Sequence, residues 1–237
     1  MKFLIQTIDK KIKHDFSFTL IQSIDYHNWL SKGSITFKLT DDDLKKDYTP
    51  IGSNEFVHSY MEKYLGCSPN PINVPDELLD QKFTHRTIFN GTNNDLLGHK
   101  FIKSNDRIKA FTEYINTDEN DFDPKSIPDG NYQISEVVDI QSEYRCFVYQ
   151  NKLVGVQFYS GDFTIFPDIK SVETMISSYK SSPIAYTLDV GINESGTFVI
   201  ECHNFYSCGL YGFSNHRILP LMFNRWYYEY KCNLLKK

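Results

Sequence analysis

Residues 185–204 read AYTLDVGINESGTFVIECHN, two apolar runs that each contain one carboxylate and that flank the tetrapeptide NESG. Apolar residues alternate along both runs, which predicts two strands, and the Asn- and Gly-containing link predicts a turn. Pairing centred on Ser195 places Asp189 opposite Glu201 on one side of the sheet. Because opposed like charges destabilise a hairpin, a bound divalent cation is the expected remedy. Oxygen ligands favour Mg²⁺ or Mn²⁺, so the hairpin indicates a site that binds a metal and phosphate.

The composition of the 237 residues indicates a folded globular protein, with one large domain or two small ones. Hydrophobic residues make up 41% and charged residues 23%, a balance that excludes a disordered chain. The formal net charge of −5 disfavours a protein that coats nucleic-acid phosphates, although a local basic cleft stays compatible with it.

The sequence pattern predicts a cytoplasmic protein. The N-terminus does not resemble a secretory signal, and no run approaches the roughly 18 apolar residues of a membrane span. The five cysteines are odd in number and none are spaced as CxxC. We therefore expect reduced thiols, and neither disulfides nor a zinc site.

Strand and helix patterns alternate along the chain. A helix is predicted over 54–65 with Gly66 as its stop, and the proline-rich stretch 68–75 marks the exit from a small N-terminal α/β unit. A polar stretch, 104–131, predicts a loop. The other predicted elements are strands at 2–8, 100–103 and 132–138, a hairpin of 145–149 and 153–159, a helix around 172–179 and a final helix at 217–235. This order predicts an α+β (mixed α/β) class.

Several charged residues accompany the carboxylate hairpin. Cations, paired carboxylates and glycines that allow close backbone approach are what a bound triphosphate needs. Neither GxxxxGK[ST] nor GxGxxG occurs, so the common phosphate-loop and dinucleotide motifs are absent. The accompanying features are Arg86, Lys103, Lys109, the segment 135–138, Glu143, Arg145 and the glycine-containing loop 206–213.

The order of these features carries a family resemblance from about Thr49 to Phe213. The segments that carry it are PIGSNEFV at 50–57, INVP at 72–75, FIK at 101–103, SEYRCFV at 142–148, YTLDVG at 186–191 and IE at 200–201. The chain resembles the ATP-grasp superfamily, and within it a small clade common in phages and bacteria that is named for one arginine and two lysines. This resemblance implies two α+β subdomains that sandwich a nucleotide, at 79–134 and 135–237. A pre-ATP-grasp α/β unit would precede them at 1–78.

The resemblance also implies a nucleotide site for ATP. Arg86 and Lys103 would bind phosphates, with Lys109 as a further candidate. The backbone around Glu136, Val137 and Val138 would contact adenine. Glu143, seven residues after Glu136, would bind the ribose hydroxyls.

The metal and catalytic residues follow from the same resemblance. Asp189 and Glu201 would hold Mg²⁺, with Mn²⁺ as an alternative. Relatives often have Glu-x-Asn where this chain reads ECHN at 201–204. The third ligand is therefore either His203 or, through a bulge, Asn204. Arg145 would stabilise the transferring phosphoryl group, and Lys109 is grouped with it as a catalytic candidate.

The implied activity is a carboxylate–amine ligase that forms an amide or peptide-like bond through an acyl phosphate. Its substrates would be small-molecule or peptide acids and amines, without a membrane partner. Two alternatives stay open on the same fold. One is an ATP-dependent phosphotransferase or nucleic acid-modifying enzyme, and the other is a nucleotide-binding protein without turnover. The sequence leaves both substrates and the oligomeric state open.

Overall fold

The computed structural model describes residues 1–31, 33, 35–95, 98, 100–106, 114–116 and 127–234. Strands in these ranges are β1 (Lys2–Gln6), β2 (Thr36–Thr40), β3 (Thr49–Ile51), β4 (Ile88–Gly91), β5 (Lys100–Ser104), β6 (Tyr114–Asn116), β7 (Tyr132–Ser135), β8 (Ser142–Tyr149), β9 (Lys152–Gly161), β10 (Ala185–Asn193) and β11 (Gly196–Asn204). Helices are α1 (Asp15–Ser31), α2 (Asn54–Leu65), α3 (Gln81–Thr84), α4 (Ile169–Ser178) and α5 (Leu219–Leu234).

The described strands form three sheets, in agreement with the predicted mixed α/β class. A parallel sheet has the order β2-β1-β3, and two antiparallel sheets have the orders β4-β7-β5-β6 and β11-β10-β8-β9. The strands β1 to β3 lie within 1–78 and the strands β8 to β11 lie within 135–237, whereas β7 of the remaining sheet ends at Ser135, one residue past the predicted boundary. The segment boundaries 1–78, 79–134 and 135–237 themselves stay a prediction.

The first hydrophobic core joins the two halves of the chain. Side chains of β1, α1 and α2 pack together with those of α5 and of the loop that precedes it. A buried hydrogen bond ties the two parts, since Asn224 Nδ2 donates to Thr49 Oγ1 at 2.9 Å. The N-terminal sheet therefore shares its core with the last helix.

The second core lies on one face of the β11-β10-β8-β9 sheet. Val172, Met175 and Ile176 of α4 pack there with Leu188 and Val199 of the central hairpin. This packing leaves the opposite face of β8, β10 and β11 available for polar side chains.

Several predicted elements are confirmed, with small shifts at their ends. α2 spans 54–65 as predicted, because Ser53 Oγ accepts from the Phe56 amide and Gly66 ends the helix at φ 77°. β1 ends at Gln6 instead of residue 8, since the chain turns through positive φ at Asp9 and Lys10. β7 ends at Ser135, earlier than predicted.

α1, β2, β3, α3, β4 and β6 were not predicted, and β6 lies inside the stretch 104–131 that was predicted to be a loop. The buried face of α1 mixes Ser17 and Ser23 with Phe16, Leu20 and Ile24, so its polar contrast is weak. No helix within the described ranges combines the length and apolarity that crossing a bilayer requires.

Candidate functional site

The β10–β11 hairpin places its two carboxylates side by side. Asn193 pairs with Gly196 around a two-residue turn, and Val190 pairs with Val199. A one-residue register shift follows, so that Asp189 pairs with Glu201 and Ile200 is the extra residue of a β-bulge. The predicted opposition of the two carboxylates is confirmed, but it depends on this bulge. Without it Asp189 would pair with Ile200.

Asp189 forms a buried, bidentate ion pair with Arg145 of β8. Arg145 Nε donates to Oδ1 at 2.8 Å and Nη2 donates to Oδ2 at 2.7 Å. Burial by itself raises the pKa of Asp189, but the hydrogen bonds and charge of Arg145 lower it below its ordinary value. Burial likewise opposes the charge on Arg145, yet Asp189 raises the pKa of that guanidinium. Both groups are therefore ionised.

Glu201 is held by two cations. Lys103 Nζ, from β5 of the neighbouring sheet, lies 2.6 Å from Oε2, and His203 Nε2 lies 3.2 Å from Oε1. Burial alone would raise the pKa of Glu201, but His203 and Lys103 keep it well below its ordinary range. Burial lowers the pKa of His203, but the nearby carboxylates of Glu201 and Asp189 raise it to about 9.

The ligand set fits a divalent cation. One atom from each of Asp189, Glu201 and His203 lies within 4.8 Å of the others. Lys103, Arg145 and His203 lie against the two carboxylates and balance their negative charge, and a bound metal would share that role. Two carboxylates beside room for phosphate oxygens suit Mg²⁺, and the imidazole suits Mn²⁺ better. Asn204 is engaged elsewhere, because its Oδ1 accepts from Trp226 Nε1 and its Nδ2 donates to the Asn70 carbonyl.

These side chains line a cavity of about 470 Å³, whose wall includes strands of the two antiparallel sheets and Asn54 at the start of α2. Tyr159 of β9 donates its hydroxyl to Glu143 Oε2 at 2.7 Å. Burial raises the pKa of Tyr159, and the charges of Asp189 and Glu143 raise it further, so the hydroxyl stays protonated. The other lining residues are Asn54, Pro71, Ile72, Asn73, Phe101, Ser104, Ile140, Ile200, Asn204, Tyr206, Ser207, Cys208, Gly209 and Tyr211.

The structure brings together six of the predicted site residues in this cavity: Lys103, Glu143, Arg145, Asp189, Glu201 and His203; Asn204 also lines its wall. The residues Glu136, Val137 and Val138 are not among those that line it. Glu136 accepts from the Thr87 amide at 2.7 Å, and Ile140 instead reaches the cavity from the same linker. Lys109 lies outside the described residues.

Arg86 is also absent from the cavity wall. Its Nη1 donates to the carbonyls of Thr84 and Val199 at 3.0 and 2.9 Å, and its Nη2 donates to that of Ile200 at 3.2 Å. Burial lowers the pKa of Arg86 to about 10, and the negative charge of Glu201 offsets part of this by raising it. The guanidinium thus donates to the backbone of β11, and Arg86 is not among the residues that line the cavity.

The sequence did not single out two aromatic residues of the site: Tyr159 was not considered, and Tyr211 was included only as part of the glycine-containing loop 206–213, which does line the cavity. Their rings stack at 5.0 Å between centroids, and the Arg145 guanidinium lies 5.1 Å from the Tyr211 ring. Alternation along β9 could have indicated the face of Tyr159. Two register shifts between β8 and β9 break that count before it reaches the site.

Comparison with known proteins agrees with this geometry. A family model described as "ATP-grasp domain, R2K clade family 2" matches residues 83–221, more than half of the chain. A search of curated protein sequences returns no match.

Solved structures give the same fold at low sequence identity. D-alanine–D-alanine ligase from Bacillus anthracis, complexed with ATP, is 12% identical with a TM-score of 0.58, over 98% of each chain. A RimK domain protein of the ATP-grasp type from Sphaerobacter thermophilus is 10% identical with a TM-score of 0.58, over 94% of this chain and 98% of that one. The ATP-grasp ligase PsnB, complexed with its minimal precursor, is 10% identical with a TM-score of 0.52, over 94% and 99%. The chain adopts the ATP-grasp fold and belongs to the ATP-grasp family that the matching model describes.

Proposed function

We propose that this protein is an ATP-dependent carboxylate–amine ligase that forms an amide or peptide-like bond. The observation that carries the proposal is the pair Asp189 and Glu201, opposed on neighbouring strands and surrounded by Arg145, Lys103 and His203 within one cavity. Structurally similar proteins include ligases for D-alanine and for a precursor peptide, which supports this class of reaction.

The reaction needs two balanced steps. An oxygen of the acid substrate attacks the γ-phosphorus of ATP, forming a carboxyl–phosphate bond and releasing ADP. The amine then attacks the acyl carbon, forming the C–N bond and releasing phosphate and one proton. Phosphorylation is required because a carboxylate is a poor electrophile, so the protein contributes mainly positioning and charge neutralisation.

Residue roles follow from the charges in the cavity. Asp189 and Glu201 would hold Mg²⁺, and the ion would neutralise phosphate charge. His203 is the nearest further ligand and would have to give up its proton to bind the metal. Lys103 would leave Glu201 for a phosphate oxygen when the metal takes over that carboxylate. Arg145 keeps Asp189 ionised and oriented, and it faces the region where charge develops on the acyl phosphate.

The base and ribose would occupy the opposite end of the cavity. Glu143 would accept from the ribose hydroxyls, and Tyr159 fixes the orientation of that carboxylate. Ile140 and Phe101 give apolar surface beside it. The adenine contacts of Glu136, Val137 and Val138, and the catalytic contribution of Lys109, stay predictions from the family resemblance. The cytoplasm is the compartment we propose, because all five cysteines are free thiols.

Thermal unfolding with and without MgATP tests nucleotide binding. A ligand that binds only the folded state raises Tm, by an amount that grows with its concentration above Kd. Wild type should respond, and Glu201→Gln should respond much less. Glu194→Gln is the matched control, since Glu194 is exposed on the turn of the same hairpin. No response in wild type would contradict the proposal.

Product analysis then tests the reaction. The protein is incubated with ATP, Mg²⁺ and mixtures of amino acids or peptides, and condensed products are sought by mass spectrometry. ADP release that requires both an acid and an amine supports a ligase. A phosphorylated acceptor formed without any amine would indicate a phosphotransferase instead.

A further inference from the structure

The bulge that brings Glu201 opposite Asp189 lies on an edge strand. β11 lies at the edge of its sheet, beside β10, so the other side of its backbone has no strand partner in that sheet. Backbone carbonyls left there need donors, because an unpaired buried carbonyl destabilises the fold. At the bulge, the donors come from one side chain, Arg86.

Arg86 contacts the two residues at which the register shifts. Nη1 meets the Val199 carbonyl and Nη2 meets the Ile200 carbonyl, so a single planar group spans the extra residue. The guanidinium is buried and also lies 5.5 Å from the Phe198 ring centroid. The third bond, to Thr84, anchors it to α3. The guanidinium can donate to two carbonyls at once because its N–H groups point in fixed directions. The single ammonium of lysine would contact both carbonyls with poorer geometry.

The register of β11 decides which side chains face the cavity. Side chains alternate between faces, so a shift of one residue moves every following side chain to the other face. Without the bulge, Ile200 would lie opposite Asp189, and Glu201 would point into the apolar core against α4.

We infer that Arg86 is a positioning residue which holds the Ile200 bulge and thereby keeps Glu201 on the cavity face beside Asp189. This role differs from phosphate binding, which would require the guanidinium to face the cavity. The inference rests on the proposed function only where nucleotide is used to test it.

A disulfide trap reports the register without nucleotide. In the native register Cys202 lies opposite Leu188, whereas in the slipped register it would lie opposite Thr187. We expect Thr187→Cys alone to form no 187–202 disulfide under mild oxidation, and the double variant Arg86→Gln/Thr187→Cys to form it. Peptide mapping by mass spectrometry identifies the bond. If the double variant traps no more of it than Thr187→Cys does, the inference is overturned.

A charge-conserving variant covers the case in which Arg86→Gln does not fold. Arg86→Lys/Thr187→Cys keeps the cation at position 86 but loses the fork, so it should fold and trap the 187–202 disulfide to an intermediate extent. If this double variant traps no more of the disulfide than Thr187→Cys alone does, the inference is overturned.

MgATP binding gives the second readout. Loss of a residue that orients metal ligands typically weakens affinity by about 10- to 100-fold, and we expect this for Arg86→Gln. Leu20→Ala is the control, because it removes a fully buried side chain in the other core and lowers stability without touching β11. Arg86→Gln with wild-type MgATP affinity would refute the inference. If wild type itself fails to bind MgATP, the proposed function fails, while the disulfide trap still decides the role of Arg86.

Discussion

The buried pair of Arg145 and Asp189 gives the sharpest test of the site's energetics. Their side chains are 9% and 2% exposed and share two short hydrogen bonds. Arg145→Met removes the guanidinium but keeps the apolar bulk, which leaves a buried carboxylate without its main partner. Such losses cost about 3–5 kcal/mol. His203, 3.6 Å from Asp189, retains part of the compensation, so we expect a value near the lower end, about 3 kcal/mol.

The double variant Arg145→Met/Asp189→Leu removes both charges together. Replacing a buried pair with apolar residues is often neutral or stabilising, so the double variant should be more stable than Arg145→Met alone. Urea unfolding in EDTA measures the four proteins of this cycle, with the m value as a check that the transition stays comparable. For a chain of this size, a loss of about 3 kcal/mol corresponds to a fall in Tm of about 6–12 °C.

Two outcomes would refute this reasoning. One is a loss below about 1 kcal/mol for Arg145→Met, which is the range of a solvent-exposed pair. The other is strict additivity of the two single variants, because residues in direct contact should couple.

Three further predictions concern single side chains. Gly155→Ala places a Cβ 2.5 Å from the Phe213 ring and should destabilise the fold by about 1–3 kcal/mol in thermal unfolding. Ser53→Ala removes the side-chain cap of α2 and should lower the free energy of unfolding by about 1 kcal/mol in urea titrations, whereas an unchanged midpoint would show that the cap is dispensable. Lys103→Met removes a charge-assisted bond worth about 1.5–3 kcal/mol, so titration calorimetry should find MgATP binding weakened by about 10- to 150-fold, and unchanged affinity would exclude Lys103 from the phosphate site.

Local patterns predicted much of the second half of the molecule. Alternating apolar residues and a turn signal were enough to place Asp189 opposite Glu201. The actual turn holds two residues, and the bulge at Ile200 then shifts the register back by one. The prediction was confirmed, although neither the two-residue turn nor the bulge was foreseen. The bulge could not be read from the local sequence, because it depends on Arg86, more than 100 residues earlier in the chain.

Long-range pairing set the limits of the sequence argument. Asp189 pairs with Arg145 because β10 lies beside β8, and no local pattern states which strands are neighbours. Phosphate binding by Arg86 was implied by the family resemblance and stays a prediction. The guanidinium of Arg86 donates to carbonyls of β11 that have no strand partner. These carbonyls lack a partner only once the sheet has folded, so the sequence alone does not reveal the contact. α1 was missed because polar and apolar residues share its buried face.

The core shared by α5 and the N-terminal sheet has a consequence for biosynthesis. β1, α1 and α2 leave the ribosome while α5 is still untranslated. The apolar side chains that later pack against α5 are therefore exposed to solvent at that stage. Phe223 and Trp226, both buried in that core, are synthesised only after residues 66–218. We therefore expect this half of the protein to reach its native packing only after synthesis of residues 219–234, and nascent chains that stall before then to be held by chaperones.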